Sequence, residues 1–213
     1  MIVKSYIAEQ DYSALNNYKS ILFYGENAGI KEDYKEFVRE KSGDTEIINL
    51  FQEELIKNNE IILEEVNNSS LFSAKKIIFI NNVSDKIFNL ISTCIEKANE
   101  DIKFYIFSEI LDKKSKLRNF FEKNTKTVCI PCYLDSEKDL RSIAQLEFKK
   151  NNITISQEII NLLIEKSNSD RNNLRNEIEK IRSFSLNKKK IELEDIKSLI
   201  NFSGDYKSNS FIN

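Results

Sequence analysis

The sequence predicts an α/β protein with a doubly wound, mostly parallel sheet followed by a small all-helical domain. Three observations predict this class. Short apolar runs rich in β-branched residues alternate with segments of helical periodicity. No tight hairpin turn separates one run from the next, and the strand pattern ends near residue 135. A parallel sheet with crossover helices is therefore expected first, and helices alone after it.

The predicted strands share short length, apolar side chains and turn residues at their ends: 21–24, 46–51, 76–80, 102–107 and 127–130. Helical spacing of apolar residues predicts the connecting helices at 30–41, 59–66, 86–97 and 114–123. Gly43 and Asp44 supply the stop signal for the first of these helices. These elements form the predicted α/β domain, residues 1–134.

A change in composition follows the chain's single proline, Pro131. Ser136 and Asp139 have the spacing of a capping box, and Ser156 and Asp170 are placed to begin two more helices. A fourth short helix is expected to end near Phe202. We therefore predict a helical lid domain over 135–203 and a polar tail over 204–213 that leads toward a further domain.

Composition excludes several classes of protein. The chain has 213 residues, 40% of them hydrophobic and 31% charged, and a formal net charge of −2. No window approaches the roughly 18 consecutive apolar residues of a membrane span, and no signal peptide is evident, so a cytoplasmic protein is expected. The chain contains no histidine, which removes Ser-His and Cys-His catalysis and histidine-bearing zinc sites. We expect no metal and no cofactor.

A strand–glycine–helix segment has the layout of a phosphate-binding loop, with Gly25, Gly29 and Lys31 in the relevant places. A working loop needs Gly-x-x-x-x-Gly-Lys-Ser/Thr. Here the glycines are one residue too close together, Lys31 is displaced, and Glu32 stands where a hydroxyl group should hold Mg²⁺. The pattern predicts a degenerate loop.

The acidic partner of such a loop is missing as well. A P-loop enzyme presents a carboxylate at the end of a later apolar strand. The strand 76–80 is followed by Asn81 and Asn82, whose amides cannot supply that charge. Two losses on one scaffold indicate a nucleotide-binding fold kept for its shape, with no catalytic residues of its own.

Two other patterns carry weaker signals. Cys129 and Cys132 form a Cys-x-Pro-Cys motif at a strand end, as in thiol redox proteins, although its place late in the chain favours structural or incidental cysteines. A basic run could contact DNA phosphates without sequence preference, or could be an ordinary solvated face. Its members are Lys113, Lys114, Lys116 and Arg118, and a second run follows at 188–190.

A large apolar pair, Leu71 and Phe72, lies among small polar residues that favour turns, directly after Ser70. Two interpretations remain open from the residues themselves. The pair folds back into the core, or it projects as an anchor for a pocket in another protein.

These features together resemble the delta subunits of the bacterial DNA polymerase III clamp loader. The resemblance rests on the segments 22–29, 70–76, 111–118, 130–133, 170–180 and 193–195 in this order. It implies an AAA+-like fold without ATPase activity. It also implies that Leu71 and Phe72, with Ser70, bind a hydrophobic pocket of the sliding clamp, the beta subunit. Further implied partners are the delta prime and tau/gamma subunits, through a collar domain expected to begin where this chain stops, and DNA through the assembled complex.

The main alternative is an enzyme, a divergent P-loop ATPase or nucleotide kinase, which would require Mg²⁺-dependent turnover with an unusual Lys31 geometry. A thiol oxidoreductase is the third interpretation, and it requires a depressed pKa at Cys129.

Overall fold

A computed structural model describes residues 1–68 and 75–185, together with residues 194, 196, 198 and 199. The chain divides into two compact units, Met1–Tyr133 and Leu134–Asn213. The α/β fold class is confirmed in the first unit. Among the described residues, no helix is long and apolar enough to cross a membrane.

Five parallel strands form one sheet in the order β2-β3-β4-β1-β5. They are β1 (Ser20–Tyr24), β2 (Glu46–Phe51), β3 (Lys76–Asn81), β4 (Ile102–Ser108) and β5 (Thr127–Pro131). All five were predicted to within a residue at each end. The apolar runs were informative because β1, β3, β4 and β5 are buried along nearly their whole length, as expected for a parallel sheet that is covered on both faces.

Alternation along β1 shows that both faces of the sheet are covered. Leu22 and Tyr24 pack into one apolar cluster, whereas Ile21 and Phe23 pack into a second cluster on the opposite face. The helices of this unit are α1 (Ser5–Gln10), α2 (Ala28–Lys41), α3 (Gln52–Lys57), α4 (Glu60–Asn67), α5 (Phe88–Lys97) and α6 (Lys116–Lys123). Helices α1 and α2 contribute to the second cluster, and α4, α5 and α6 to the first. The sheet is therefore doubly wound.

Two helices of this unit escaped the sequence interpretation, α1 and α3. Each has only six residues, too few to show a helical period. Helix α3 also begins directly at the end of β2, with no turn residue between them. The Glu54 carboxylate accepts a hydrogen bond from the Phe51 N–H (2.9 Å), and this contact starts the helix.

The second unit contains α7 (Glu137–Lys150), α8 (Gln157–Ser167) and α9 (Arg171–Ser185). The predicted capping box is present: the Ser136 N–H donates to the Asp139 carboxylate (3.1 Å), and the Ser136 hydroxyl accepts from the Asp139 N–H (3.3 Å). The three helices share one apolar core. The predicted fourth helix lies largely outside the described residues, although Ile196 is helical and buried in the same core. The predicted tail, 204–213, lies wholly outside them.

Candidate functional site

The turn after β1 forms the first part of the predicted phosphate-binding loop. Gly25 has φ +132°, and a Cβ at this position would overlap the backbone carbonyl of Cys132, so only glycine fits. The Gly25 N–H donates to the Glu109 carbonyl (3.1 Å), and the Asn27 N–H donates to the Cys132 carbonyl (3.0 Å). Two amide groups that could have faced a phosphate are therefore bound to the protein's own carbonyls.

Asn27 then occupies the start of α2. Its Oδ1 accepts from the Ile30 N–H (3.1 Å), and its Nδ2 donates to the Tyr133 carbonyl (3.0 Å). Because Asn27 caps the helix, α2 begins at Ala28, and Gly29 lies buried in the first helical turn. The sequence interpretation extended the turn to Gly29, and that extension was wrong. The loop between β1 and α2 therefore comprises only residues 25–27.

The charged residues of the degenerate loop also serve the protein itself. Burial lowers the pKa of Lys31, although negative groups near it, Glu109 among them, act in the opposite direction. The Glu32 carboxylate lies 3.4 Å from the Lys35 ammonium and 3.2 Å from the Arg39 guanidinium. Glu32 is thus an ion-pairing residue on the surface of α2, in the place where a Mg²⁺-binding hydroxyl would be required.

Strand β3 ends at Asn81, in the place where a P-loop enzyme would carry a carboxylate. Asn81 is buried, and its Nδ2 donates to the Leu50 carbonyl of the neighbouring strand (3.2 Å). Asn82 follows with φ +57°, a left-handed conformation that asparagine tolerates. The Asn81 amide therefore ties β3 to β2.

These groups surround a cleft of about 380 Å³ at the carboxyl ends of β1, β3 and β4, where open α/β sheets usually bind ligands. Its charged lining residues are Glu26, Lys31, Glu32, Lys35 and Glu109. Carboxylates outnumber ammonium groups there, which opposes a polyphosphate. The buried hydroxyl of Ser108 also lines the cleft and has no hydrogen-bond partner among the described residues. Sequence reasoning missed Ser108 because it reads only as the polar end of an apolar run.

The surroundings of the cysteines do not favour thiol redox chemistry. Cys94, Cys129 and Cys132 are all buried. Burial raises the pKa of Cys129 to about 12 and that of Cys94 to about 11. Since the thiolate is the reactive form, the depressed pKa that a thiol oxidoreductase requires at Cys129 is absent.

The basic run divides into exposed and engaged members. Its exposed members are Lys113, Lys114 and Lys116. Arg118 is half-buried: its Nε donates to Glu122 (2.6 Å), its Nη1 donates to the Leu111 carbonyl (3.3 Å), and its guanidinium lies 4.9 Å from the ring centroid of Tyr24. We conclude that Arg118 holds the start of α6 in place, while the three lysines remain available to solvent. The second basic run, 188–190, lies outside the described residues.

A carboxylate from another element fixes the N-terminus of α6. Asp85 accepts from the Ser115 hydroxyl (2.8 Å), the Lys116 N–H (3.0 Å) and the Leu117 N–H (2.9 Å). Burial acts to raise the pKa of Asp85, but the hydrogen bonds from Leu117, Ser115 and Lys116 lower it overall. This cap from a distant part of the same chain was not predicted, because Asp85 and α6 are about 30 residues apart in sequence.

The predicted clamp-binding residues, Ser70, Leu71 and Phe72, lie outside the described residues. Before them α4 ends at Asn67, and after them β3 begins at Lys76. Both ends lie at the amino edge of the sheet, opposite to the cleft.

A buried lysine joins these two ends. Lys76 is 5% exposed, and its Nζ donates to the Glu65 carboxylate (2.8 Å), the Glu65 carbonyl (2.9 Å) and the Asn68 carbonyl (3.3 Å). A cation is favourable at the carboxyl end of a helix, where carbonyl groups lack partners. Lys76 therefore fastens the first residue of β3 to the last turn of α4. A lysine opening an otherwise apolar strand was the signal that sequence reasoning overlooked.

Comparison with known proteins shows a shared fold and little shared sequence. No protein-family model matches the chain, and no curated protein matches it by sequence. Among solved structures, domain III of the replication initiation protein DnaA from Thermotoga maritima has a TM-score of 0.58 at 14% identity, covering 93% of this chain and 90% of that chain. The Bacillus subtilis DNA clamp loader delta protein has a TM-score of 0.58 at 15% identity, covering 92% of this chain. The Thermotoga maritima RuvB Holliday junction branch migration motor has a TM-score of 0.61 at 13% identity, covering 93% of this chain and 66% of that one.

This chain spans 62% of the length of the clamp loader delta chain that it resembles. Identities this low establish the fold and no more. The protein has an AAA+-like α/β fold.

Proposed function

We propose that this protein is a clamp-loader subunit of the delta type, which binds the sliding clamp and helps to open it without hydrolysing nucleotide. The observation that carries the proposal is the turn at Gly25 and Asn27. The amides of this turn donate to carbonyl groups of the protein itself, and Asn27 caps the start of α2. The turn belongs to a fold of the AAA+-like class. A scaffold of this kind that lacks a phosphate cradle is suited to act by binding another protein.

The binding element in this proposal is the pair Leu71 and Phe72, with Ser70 before it. Lys76 supports the assignment, because it gives both ends of the segment a fixed base from which an anchor can act. Burying the two side chains would contribute roughly 1.5–3 kcal/mol each. Association costs consume part of that gain, so the surrounding surface must add contacts.

Opening a ring requires more than binding. A ligand shifts an equilibrium only by the difference between its affinities for the two states. We propose that the sheet unit fits the edge of the opened ring better than that of the closed ring, with Leu71 and Phe72 as the fixed point. The delta prime and tau/gamma subunits would join through a collar domain, in the cytoplasm, and DNA would meet Lys113, Lys114 and Lys116 in the assembled complex.

The test is the affinity of the purified chain for the sliding clamp of the same cell. We expect Leu71→Ala with Phe72→Ala to weaken binding by about 3 kcal/mol, or roughly 100-fold in Kd. Leu146→Ala is the matched control, since Leu146 is an apolar side chain 67% exposed on α7. Unchanged affinity in the double variant, or loss of its fold, would return the pair to the core interpretation.

A divergent P-loop ATPase or nucleotide kinase is the second candidate. The specific observation in its favour is the cleft itself, which Lys31 and Ser108 both line at the carboxyl edge of the sheet, with the Ser108 hydroxyl lacking a hydrogen-bond partner in the described part of the chain. Titration with Mg-ATP separates the two proposals. Saturable micromolar binding with turnover that is lost in Lys31→Met would favour the enzyme.

A further inference from the structure

A shallow groove of about 940 Å³ lies between the α3–α4 connection and α5, on the face of the sheet that carries α4, α5 and α6. We call it the α4–α5 groove. Its apolar lining comes from Leu55 and Ile87, which are buried, and from Leu63 and Leu90, which are half-buried. Ile56 stands at the rim with 56% of its surface exposed. The groove thus offers a narrow apolar stripe to a partner.

Positive charge surrounds that stripe. Lys57, Lys86 and Lys97 line the groove from three different elements, and all three are exposed. None of them forms an ion pair with any residue in the described part of the chain. Glu60 is the one carboxylate in the lining of the groove. In a chain with a formal net charge of −2, this is a local excess of cations without ion-pair partners among the residues that the structure describes.

The dimensions suit a short helix. Helices α4 and α5 have eight and ten residues, or about 12–15 Å at 1.5 Å per residue. A partner helix of two to three turns would span this length. An amphipathic helix that lays its apolar side into a groove between two helices is a recurring mode of peptide recognition.

We propose that the α4–α5 groove binds an acidic amphipathic helix of a partner protein. Apolar residues of that helix contact Leu63, Leu90 and Ile56, and its carboxylates meet the ammonium groups of Lys57, Lys86 and Lys97. A nucleic-acid backbone would satisfy the lysines but would leave the apolar stripe uncovered, so the stripe favours a protein partner. The inference is independent of the clamp-loader function, because the groove includes neither Ser70, Leu71 nor Phe72.

The experiment uses the full chain and a fluorescein-labelled designed peptide of 14 residues, with leucines at helical spacing on one side and glutamates elsewhere. Two matched peptides separate the contributions: one replaces the leucines by serines, and the other replaces the glutamates by lysines. We expect the acidic amphipathic peptide to bind saturably by fluorescence anisotropy, with at least tenfold weaker binding of both matched peptides. Raising the salt from 50 to 300 mM should weaken it several-fold, since exposed charges are screened.

Variants of the protein locate the site. Lys57→Glu with Lys86→Glu should weaken binding of the acidic peptide at least tenfold, whereas Lys138→Glu, at an exposed lysine on α7, should change it less than twofold. Amide chemical shifts of the unsubstituted protein provide a second measurement that does not depend on any variant, and Leu63, Leu90 and Thr93 should move on titration. The proposal would be overturned if the double lysine variant and the control variant lost equal affinity for the acidic peptide, or if the peptide did not bind saturably. Displacement of the peptide by a single-stranded oligodeoxynucleotide would also overturn it.

Discussion

Replacing Lys76 by methionine tests the base of the proposed clamp-binding segment. The substitution keeps an apolar stem of similar length and removes all three hydrogen bonds of the ammonium group. Hydrogen bonds to charged groups contribute about 1.5–3 kcal/mol, and breaking a fully buried ion pair costs about 3–5 kcal/mol. The Glu65 side chain is 33% exposed and can be rehydrated, which reduces the loss. We expect Lys76→Met to lower the free energy of unfolding by about 2 kcal/mol.

The assay is equilibrium unfolding in urea, followed by circular dichroism. The slope of the unfolding free energy against urea concentration is fixed at the value of the unsubstituted protein. Lys114→Met is the control, because Lys114 is exposed and should change stability by less than about 0.5 kcal/mol. Glu65→Gln combined with Lys76→Met should lose less than the sum of the two single changes, since the residues interact directly. A change below about 0.5 kcal/mol in Lys76→Met would refute the reasoning.

Three further predictions concern the first unit. Gly25→Ala should lower the free energy of unfolding by about 3 kcal/mol, because the φ of Gly25 and the neighbouring carbonyl both exclude a Cβ. Gly43→Ala is the control in the same denaturation assay. Gly43 has φ +54° and no atom within 4 Å of the added Cβ, so its substitution should cost about 1 kcal/mol. The pKa of Asp85 is lowered in the folded protein, so its contribution to stability is complete above the pKa it has in the unfolded chain and is lost as the pH falls through the lower folded pKa. The free energy of unfolding, measured from pH 7 to pH 2, should therefore fall less steeply with pH in Asp85→Asn than in the unsubstituted protein. An unchanged pH profile would contradict this. Cys129, buried with a pKa of about 12, should resist alkylation by iodoacetamide at pH 8 until the protein is unfolded, and rapid labelling of the native protein, located by mass spectrometry, would be the contrary result.

Much of the fold could be predicted because buried parallel strands have an unambiguous composition. The segment from Ile21 to Tyr24 is a continuous apolar run, and the segment from Ile102 to Phe107 is interrupted only by Lys103. Gly43 follows the end of α2, where it was expected to stop a helix. Six-residue elements could not be found in this way. Helix α3 depends on one side-chain contact, from Glu54 to the Phe51 N–H, which a periodic pattern does not contain.

The candidate site was harder to predict than the fold. The spacing of Gly25, Gly29 and Lys31 predicted a degenerate loop, but the sequence did not reveal which contacts shape the turn after β1. The reason is tertiary: Asn27 and Gly25 bond to carbonyls more than 80 residues away. The roles of Lys76 and Arg118 were not predicted for the same reason, since a lysine or arginine in a sequence is taken to be solvated unless its buried partner is known.

The central claim is that Leu71 and Phe72 occupy a pocket of the sliding clamp and not the core of their own chain. The most direct measurement places a photoreactive benzoylphenylalanine in place of Phe72, irradiates the protein with and without the purified clamp, and locates the crosslinks by mass spectrometry. The account predicts crosslinks to apolar residues of the clamp that disappear when unlabelled protein is added in excess. Crosslinks confined to the protein's own chain, at equal yield with and without the clamp, would contradict it.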